Sequence, residues 1–294
     1  MNKIIESQNN QSILDKLSAQ RRLYDKAKEL RALQFIFGVV IIVCLSMARL
    51  IWNDNETIEA SIVVVTAVAL IAEPLLESMI DKRRTLAAQI QQRLDNELYG
   101  FSWDDCICGI EPSDEVICDS KDDRLTEKMH DWYDVGIGNV EDENLAILLC
   151  QRENISYDSG LREWYVSLCA VVACLLVIGV LVLSFVGGWN LMRFLVIGVI
   201  PSIPIIQWFI TVFQDNSTDK DNLFKLENLV REEIDSVLLG GTVTKKILQK
   251  IQNLLFLHRK TGYLIPSWFY NCKRAKAETR AAYSVSEFVK KYQK

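Results

Sequence analysis

Residues 164–186 read WYVSLCAVVACLLVIGVLVLSFV. Gly187 and Gly188 follow, and a second apolar run then goes from Trp189 to Phe213. The first run carries no charge, and the second carries only Arg193, near its start. An α-helix rises ~1.5 Å per residue, so about 20 residues cross a ~30 Å hydrocarbon core. Core helices of soluble proteins are usually shorter and polar on one side, whereas these runs are apolar on every face. Two glycines leave room only for a tight return. The stretch therefore reads as one transmembrane hairpin.

The same reading applies upstream. Leu33 to Trp52 is a third apolar run, and Ser61 to Ile80 is a fourth, clean only as far as Ala72. Their connection, 53–60, holds Asp54, Glu56 and Glu59 and no Lys or Arg. Basic residues flank the opposite ends: Lys26, Lys28 and Arg31 before the first span; Lys82, Arg83 and Arg84 after the second; Arg162 before the third; Lys220 and Lys225 after the fourth. By the positive-inside rule both termini and the central segment are cytoplasmic. Trp52, Trp164, Trp189 and Trp208 lie near span ends, where indole favours the interface. The 32 residues ahead of the first run are too long and too charged for a signal-peptide n-region, so that span is expected to persist.

The expected fold is thus an all-α membrane protein, with four transmembrane helices in two hairpins (33–80 and 164–213). A mostly helical cytoplasmic bundle is built from 1–32, 81–163 and 214–294. The spans, about 88 of 294 residues, hold only Arg49, Glu73, Glu77 and Arg193, although 24% of the whole chain is charged. This segregation excludes a secreted disulfide scaffold, a disordered chain and a nucleic-acid-binding globule, and DNA is not an expected partner. The three soluble segments carry net charges of about +3, −11 and +6. Two readings stand: the acidic insert packs against the basic arms, or the charges are solvated surface.

Helical spacing at Ile13, Leu17, Tyr24, Ala27 and Leu30 to Leu33 extends the first span inward. Leu86, Ile90, Leu94 and Leu98 extend the second as far as Tyr99, where Gly100 ends it. Residues 101–143 are weakly patterned and suit short strands or a loop. Beyond Phe213, helices are expected at about 219–239, 243–259 and 275–292, separated by Gly240-Gly241 and by Gly262 with Pro266.

Little here supports catalysis. Neither His130 nor His258 sits beside an obvious nucleophile, and no phosphate-cradling glycine loop is present. Cys106, Cys108, Cys118 and His130 match no strong zinc spacing, so no metal and no cofactor are expected.

Two features do stand out. Glu73-Pro74 and Glu77 fall at the inner end of the second run. They suit either a cation-attracting pore mouth in an oligomer or an ordinary span end. Pro201 and Pro204 mark a second candidate kink or gate. The other feature is Ser236 to Ala277, which has no Asp or Glu, eight Lys or Arg, and interleaved Phe256, Tyr263, Trp268, Phe269 and Tyr270. Such a segment suits a nucleotide, anionic lipid headgroups or docking onto the acidic insert.

Several short motifs carry a family likeness. They are Gln8-Asn9-Asn10-Gln11 with Gln20-Arg21-Arg22-Leu23-Tyr24; Leu149-Cys150-Gln151-Arg152-Glu153-Asn154 with Asp158 and Leu161-Arg162; and Ile265-Pro266-Ser267-Trp268-Phe269-Tyr270 with Glu278. Together they resemble the SMODS-associating four-transmembrane effector domain of bacterial defence islands, over almost the whole chain. The resemblance implies a non-enzymatic effector of anti-phage (CBASS-type) signalling. A partner nucleotidyltransferase would make a cyclic nucleotide. The effector would sense it, form an oligomeric pore and breach the inner membrane, stopping growth. Candidate ligand residues in or beside these motifs are Arg152, Arg162, Arg259, Lys260, Trp268 and Tyr270. They were chosen for phosphate-pairing or stacking chemistry. A constitutive ion channel and a membrane-anchored scaffold for a protein partner are the rival functions.

Overall fold

A computed structural model describes residues 3–51, 56–126, 129–133 and 135–292. Trp52 and Asp54, invoked above at the outer end of the first hairpin, lie outside the described residues. Among those residues the chain is helical, with no strand.

A short α1 (Lys3–Ser7) precedes α2 (Gln11–Phe35), which passes through a π-turn at Ile36–Val40 into α3 (Ile41–Ile51). Then α4 runs from Glu56 to Tyr99, one helix of 44 residues that continues through Pro74. It ends where expected. Gly100 takes φ +64°, and the Phe101 N–H bonds back to the Asn96 carbonyl at 2.9 Å, which satisfies a carbonyl otherwise left open at the helix end.

The described residues between 101 and 142 form neither strands nor plain loop. They form α5 (Asp105–Cys108), α6 (Asp114–Ser120), α7 (Asp123–Thr126) and a 3₁₀ turn at Val135–Asn139. Local capping explains what hydrophobic period did not reveal: Asp104 accepts from Cys106 N and Ile107 N. The segment is pinned by Phe101, Met129, Tyr133, Ile137 and Val140, all buried in the main core. The motif Gln8-Asn9 fastens it. Gln8 Oε1 accepts from Tyr133 N at 2.8 Å, and Asn9 bonds Asp131 twice, through main chain and side chain.

Next comes α8 (Glu143–Val186), capped by Asp142. It is the second 44-residue helix. The hairpin turn closes with Gly188 at φ +58° and Trp189 N bonded to Ser184 O. A single turn, α9 (Leu191–Arg193), leads through a π-turn at Phe194–Val199 into α10 (Ile200–Leu238). Pro201 and Pro204 follow this π-turn and have no N–H to offer the preceding turn, and Ser202 Oγ donates to the Gly198 carbonyl at 2.6 Å. The last helices are α11 (Lys245–Thr261) and α12 (Ser267–Tyr292). The latter starts about eight residues earlier than the sequence reading placed it. Pro266 opens the helix, its carbonyl accepting from Tyr270 N.

Four helical stretches, Gln11–Ala48, Glu56–Tyr99, Glu143–Val186 and Leu191–Leu238, are long and apolar enough to cross a membrane. Their apolar parts expose Leu70, Ile71, Leu175, Leu183 and Phe185, a surface suited to lipid and not to water. Below the spans, the inner halves of the same helices pack with α11 and α12 around one large core. Both readings of the acidic insert hold in part. Asp95 and Asp158 of the insert pair with Arg259 and His258 of the C-terminal arm, while Asp15 of the N-terminal arm pairs with Lys121 of the insert. Asp114 and Asp123, however, stay at the surface.

Candidate functional site

A cavity of about 200 Å³ opens in the extramembrane bundle just below the spans. Each helix that continues into a span contributes to its wall: Gln20, Arg21, Tyr24 and Lys28 from α2; Gln91 from α4; Asn154, Tyr157, Asp158 and Arg162 from α8; Leu223 from α10. His258 and Arg259 of α11, the Gly262–Ile265 loop and Tyr270 of α12 complete it.

One side of the cavity is a buried polar cluster. Arg162 Nη1 donates to Asp219 and, at 3.3 Å, to the Tyr263 carbonyl, while its Nε reaches Asp158 at 3.2 Å. Asp219 also accepts from Tyr263 N at 2.7 Å. His258 Nε2 lies 2.6 Å from Asp158, and its buried Nδ1 has no hydrogen-bond partner. Burial works to raise the Asp158 pKa, but Arg162 and His258 outweigh it and hold the carboxyl well below its usual range.

Another side is centred on Arg259, whose Nη1 donates to Asp95 at 2.6 Å. Asp95 is itself buried and also accepts from Gln252 at 2.8 Å and Tyr133 at 3.2 Å. Burial opposes the Arg259 charge, yet Asp95 more than compensates, and its pKa rises.

At the third side Arg21 and Lys28 lie 4.4 and 5.1 Å from the centre of the Tyr270 ring, a cation–π arrangement. Arg21 has Asp25 as a partner. For Lys28, burial pulls the pKa from 10.5 down to about 8, with Asp25 only partly opposing. Tyr24 beside it is pushed up to about 12 by burial and stays neutral.

The structure thus brings together Arg162, Arg259 and Tyr270, three of the six residues proposed from sequence, which come from three different helices. It separates the others. Lys260 does not line the cavity, and its charge bears on the Cys108 thiol instead. Trp268 is 60% exposed at the start of α12. Arg152 lines a different cavity of about 370 Å³ with Glu227, Arg231 and Asp235. Sequence reasoning missed Arg21, Tyr24, Lys28 and His258 as cavity residues. The first two lie in the motif Gln20 to Tyr24 already singled out, so the signal was present without its chemistry.

The membrane-end candidates also separate. Glu77 accepts from Nη1 and Nη2 of Arg31, at 2.8 and 2.9 Å, joining the helices of the first two spans. Glu73 is exposed, one turn closer to the membrane centre. Pro201 is buried directly after the second π-turn, and Pro204 lies one turn on. Among the described residues no group of His, Cys, Asp or Glu is placed to hold a metal ion.

Fold and site together define a multi-pass, all-helical membrane protein whose spans run unbroken into a polar cavity. Comparison with known proteins gives the particular group. The chain belongs to the SMODS-associating 4TM effector domain family, which it matches over residues 2–288. It is similar to a probable CBASS effector molecule from Bacillus cereus (strain VD146), 21% identical over 286 residues, covering 94% of this chain and 95% of that one. No solved structure matches it significantly. The family is one of membrane effectors in anti-phage defence.

Proposed function

We propose that the cavity is the receptor for a cyclic nucleotide made by a partner nucleotidyltransferase, and that its occupation opens a homo-oligomeric pore in the bacterial inner membrane, arresting growth. Both termini and the bundle face the cytoplasm in this reading, which the basic flanks of all four spans support. One observation carries the proposal: all four spanning helices wall the same cavity.

The cavity chemistry fits phosphate and base. Arg21, Lys28, Arg162 and Arg259 supply cations, and Tyr270 supplies an aromatic face. Its volume of about 200 Å³ is below the ~300–1,000 Å³ of ordinary ligand pockets, so a dinucleotide must widen it. Arg84 of α4 donates to the carbonyls of Thr261 and Gly262, both at 3.1 Å. Gly262 also lies close to Arg162, so that a Cβ there would meet Nη2 at 2.9 Å. Movement of Arg162 on binding is therefore passed through the 261–262 backbone to the helix of the second span.

The test is dye release from liposomes carrying the full-length protein, titrated with cyclic di- and trinucleotides and with their linearised products. Leakage with one cyclic species and not its linear form is expected, and Lys28→Met is expected to abolish it. Arg259→Glu is a poor probe, because it would set two carboxylates against each other at Asp95. Leakage without ligand would favour a constitutive channel. No leakage with any nucleotide would favour a scaffold and refute the proposal.

A further inference from the structure

We propose that the first turns of α12, together with the inner end of the third span, form a binding site for the headgroup of an anionic glycerophospholipid of the inner leaflet. The site is distinct from the nucleotide cavity and stands whether or not that reading holds.

The level is set by packing. Phe269 of α12 packs with Tyr165 and Cys169 of the third span and Phe209 of the fourth, with Trp164 and Trp208 against the same cluster. The start of α12 is therefore docked where the spans leave the hydrocarbon. There, Trp268 holds a large apolar ring 60% exposed although its neighbour Phe269 is buried. On a soluble surface this costs hydration free energy with no return, whereas at a bilayer interface it is the preferred position of indole.

The lysines further along the helix have no carboxylate partner. Lys273 and Lys276 place their Nζ atoms 5.8 and 5.0 Å from the centre of the Trp164 ring. The carboxylates within reach have other partners, since Glu163 pairs with Arg280 and Glu278 with Arg274. Neither lysine forms an ion pair among the described residues. Trp268, Cys272 and Lys276 fall at i, i+4 and i+8, one stripe of the helix. Two ammonium groups over the Trp164 indole, with the exposed Trp268 indole two turns nearer the start of α12, match a phosphate whose acyl chains lie on the membrane side: the lysines meet the phosphodiester and any second anionic group, and Trp268 meets the glycerol and upper chain. A zwitterionic headgroup offers the same phosphate but sets its own cation against the lysines. Tyr270, two residues beyond Trp268, lines the nucleotide cavity, so lipid held here also fixes that wall.

The experiment titrates the full-length protein in detergent with phosphatidylglycerol, with phosphatidylcholine of the same chains, and with inorganic phosphate, and reads bound lipid by native mass spectrometry. At ~1 kcal/mol per lysine near an anionic surface, Lys273→Gln with Lys276→Gln is expected to cut the preference for phosphatidylglycerol over phosphatidylcholine by up to about 30-fold. The pair Lys273→Arg with Lys276→Arg is expected to keep it, which separates loss of charge from loss of fold. Trp268→Ala is expected to weaken both lipids. An unchanged preference in the double Gln variant overturns the proposal. So does displacement of the lipid by millimolar inorganic phosphate, which would mark a general anion site.

Discussion

Lys28→Met is the most discriminating perturbation of the cavity, because it predicts a gain in stability together with a loss of function. Burial lowers the Lys28 pKa from 10.5 to about 8. The folded state therefore holds that proton less tightly than the unfolded chain, and at neutral pH the charge destabilises the fold. At ~1.4 kcal/mol per pH unit the ceiling is about 3 kcal/mol. The side chain is only partly buried, so water screens some of this, and about 1–2 kcal/mol is expected. Methionine keeps a comparable unbranched stem and removes the charge. The variant should be more stable than wild type at pH 7 by that amount, measured by chemical unfolding in detergent. Between pH 8 and 10.5 the wild type sheds the proton and regains the difference, so the two curves should converge. Tyr24, raised to about 12, and Cys108, raised to about 11, act in the opposite sense. Their contribution is present below the unfolded-state pKa and is lost as pH rises past it. Both are common to the two proteins and cancel in the difference. A variant less stable than wild type at pH 7, or a difference that stays flat from pH 8 to 10, would refute the account of Lys28 as an uncompensated cation awaiting an anion.

Further outcomes follow from the same geometry. Arg162→Ala strands Asp219, whose side chain is 6% exposed, beside Asp158. It should cost about 3–5 kcal/mol in chemical unfolding, with Asp219→Asn costing less because its oxygen still accepts from Tyr263 N. Glu77→Gln removes the carboxylate that grips Arg31, whose side chain is 22% exposed. It should lower stability by about 1–2 kcal/mol and leave unitary cation conductance in a planar bilayer nearly unchanged. Glu73→Gln should do the reverse if Glu73 lines a pore mouth. Equal conductance in wild type and Glu73→Gln would remove it from the pore.

Legibility in the sequence tracked the physics of each region. The spans were readable because a nearly uncharged run of bilayer length has few other uses, and the inward extension of the second because Leu86, Ile90, Leu94 and Leu98 repeat every four residues. Residues 101–142 were not readable as helices. Their turns are set by single caps such as Asp104, and their burial by distant partners such as Gln8, so no local period survives. The cavity was half legible for a similar reason. Arg162, Arg259 and Tyr270 stand out in sequence by motif and by chemistry. Their convergence depends on how α8, α11 and α12 pack, a relation with no signature in linear spacing. Lys260 has the same phosphate-pairing chemistry as Arg259, but adjacent residues on a helix point about 100° apart. One faces the cavity and the other does not. Glu73 and Glu77 were treated as a pair because i and i+4 share a face, yet Arg31 on the neighbouring helix claims only the second.

The resting charges of the cavity bear on how a signal could be transmitted. Arg21, Arg162 and Arg259 each already face a carboxylate. A phosphate entering the cavity would have to displace Asp158 or Asp95 from its cation, or settle first on Lys28. Binding in that form is an exchange of ion pairs. Such exchanges favour two discrete arrangements over a graded deformation, and a ligand shifts the balance only by its difference in affinity for the two. A nucleotide held by Lys28 and Tyr270 alone would bind without switching. One that also draws Arg162 from Asp158 would alter the 261–262 backbone that Arg84 grips. The wall gives the exchange a route to the bilayer. Part of it is the 262–265 loop with α11 and α12, and widening on that side alone would stay in the bundle. The rest is α2, α4, α8 and α10, each continuous with a span. Widening on that side displaces a helix that runs into the apolar layer, and Arg84, which ties the 261–262 backbone to α4, couples the two sides.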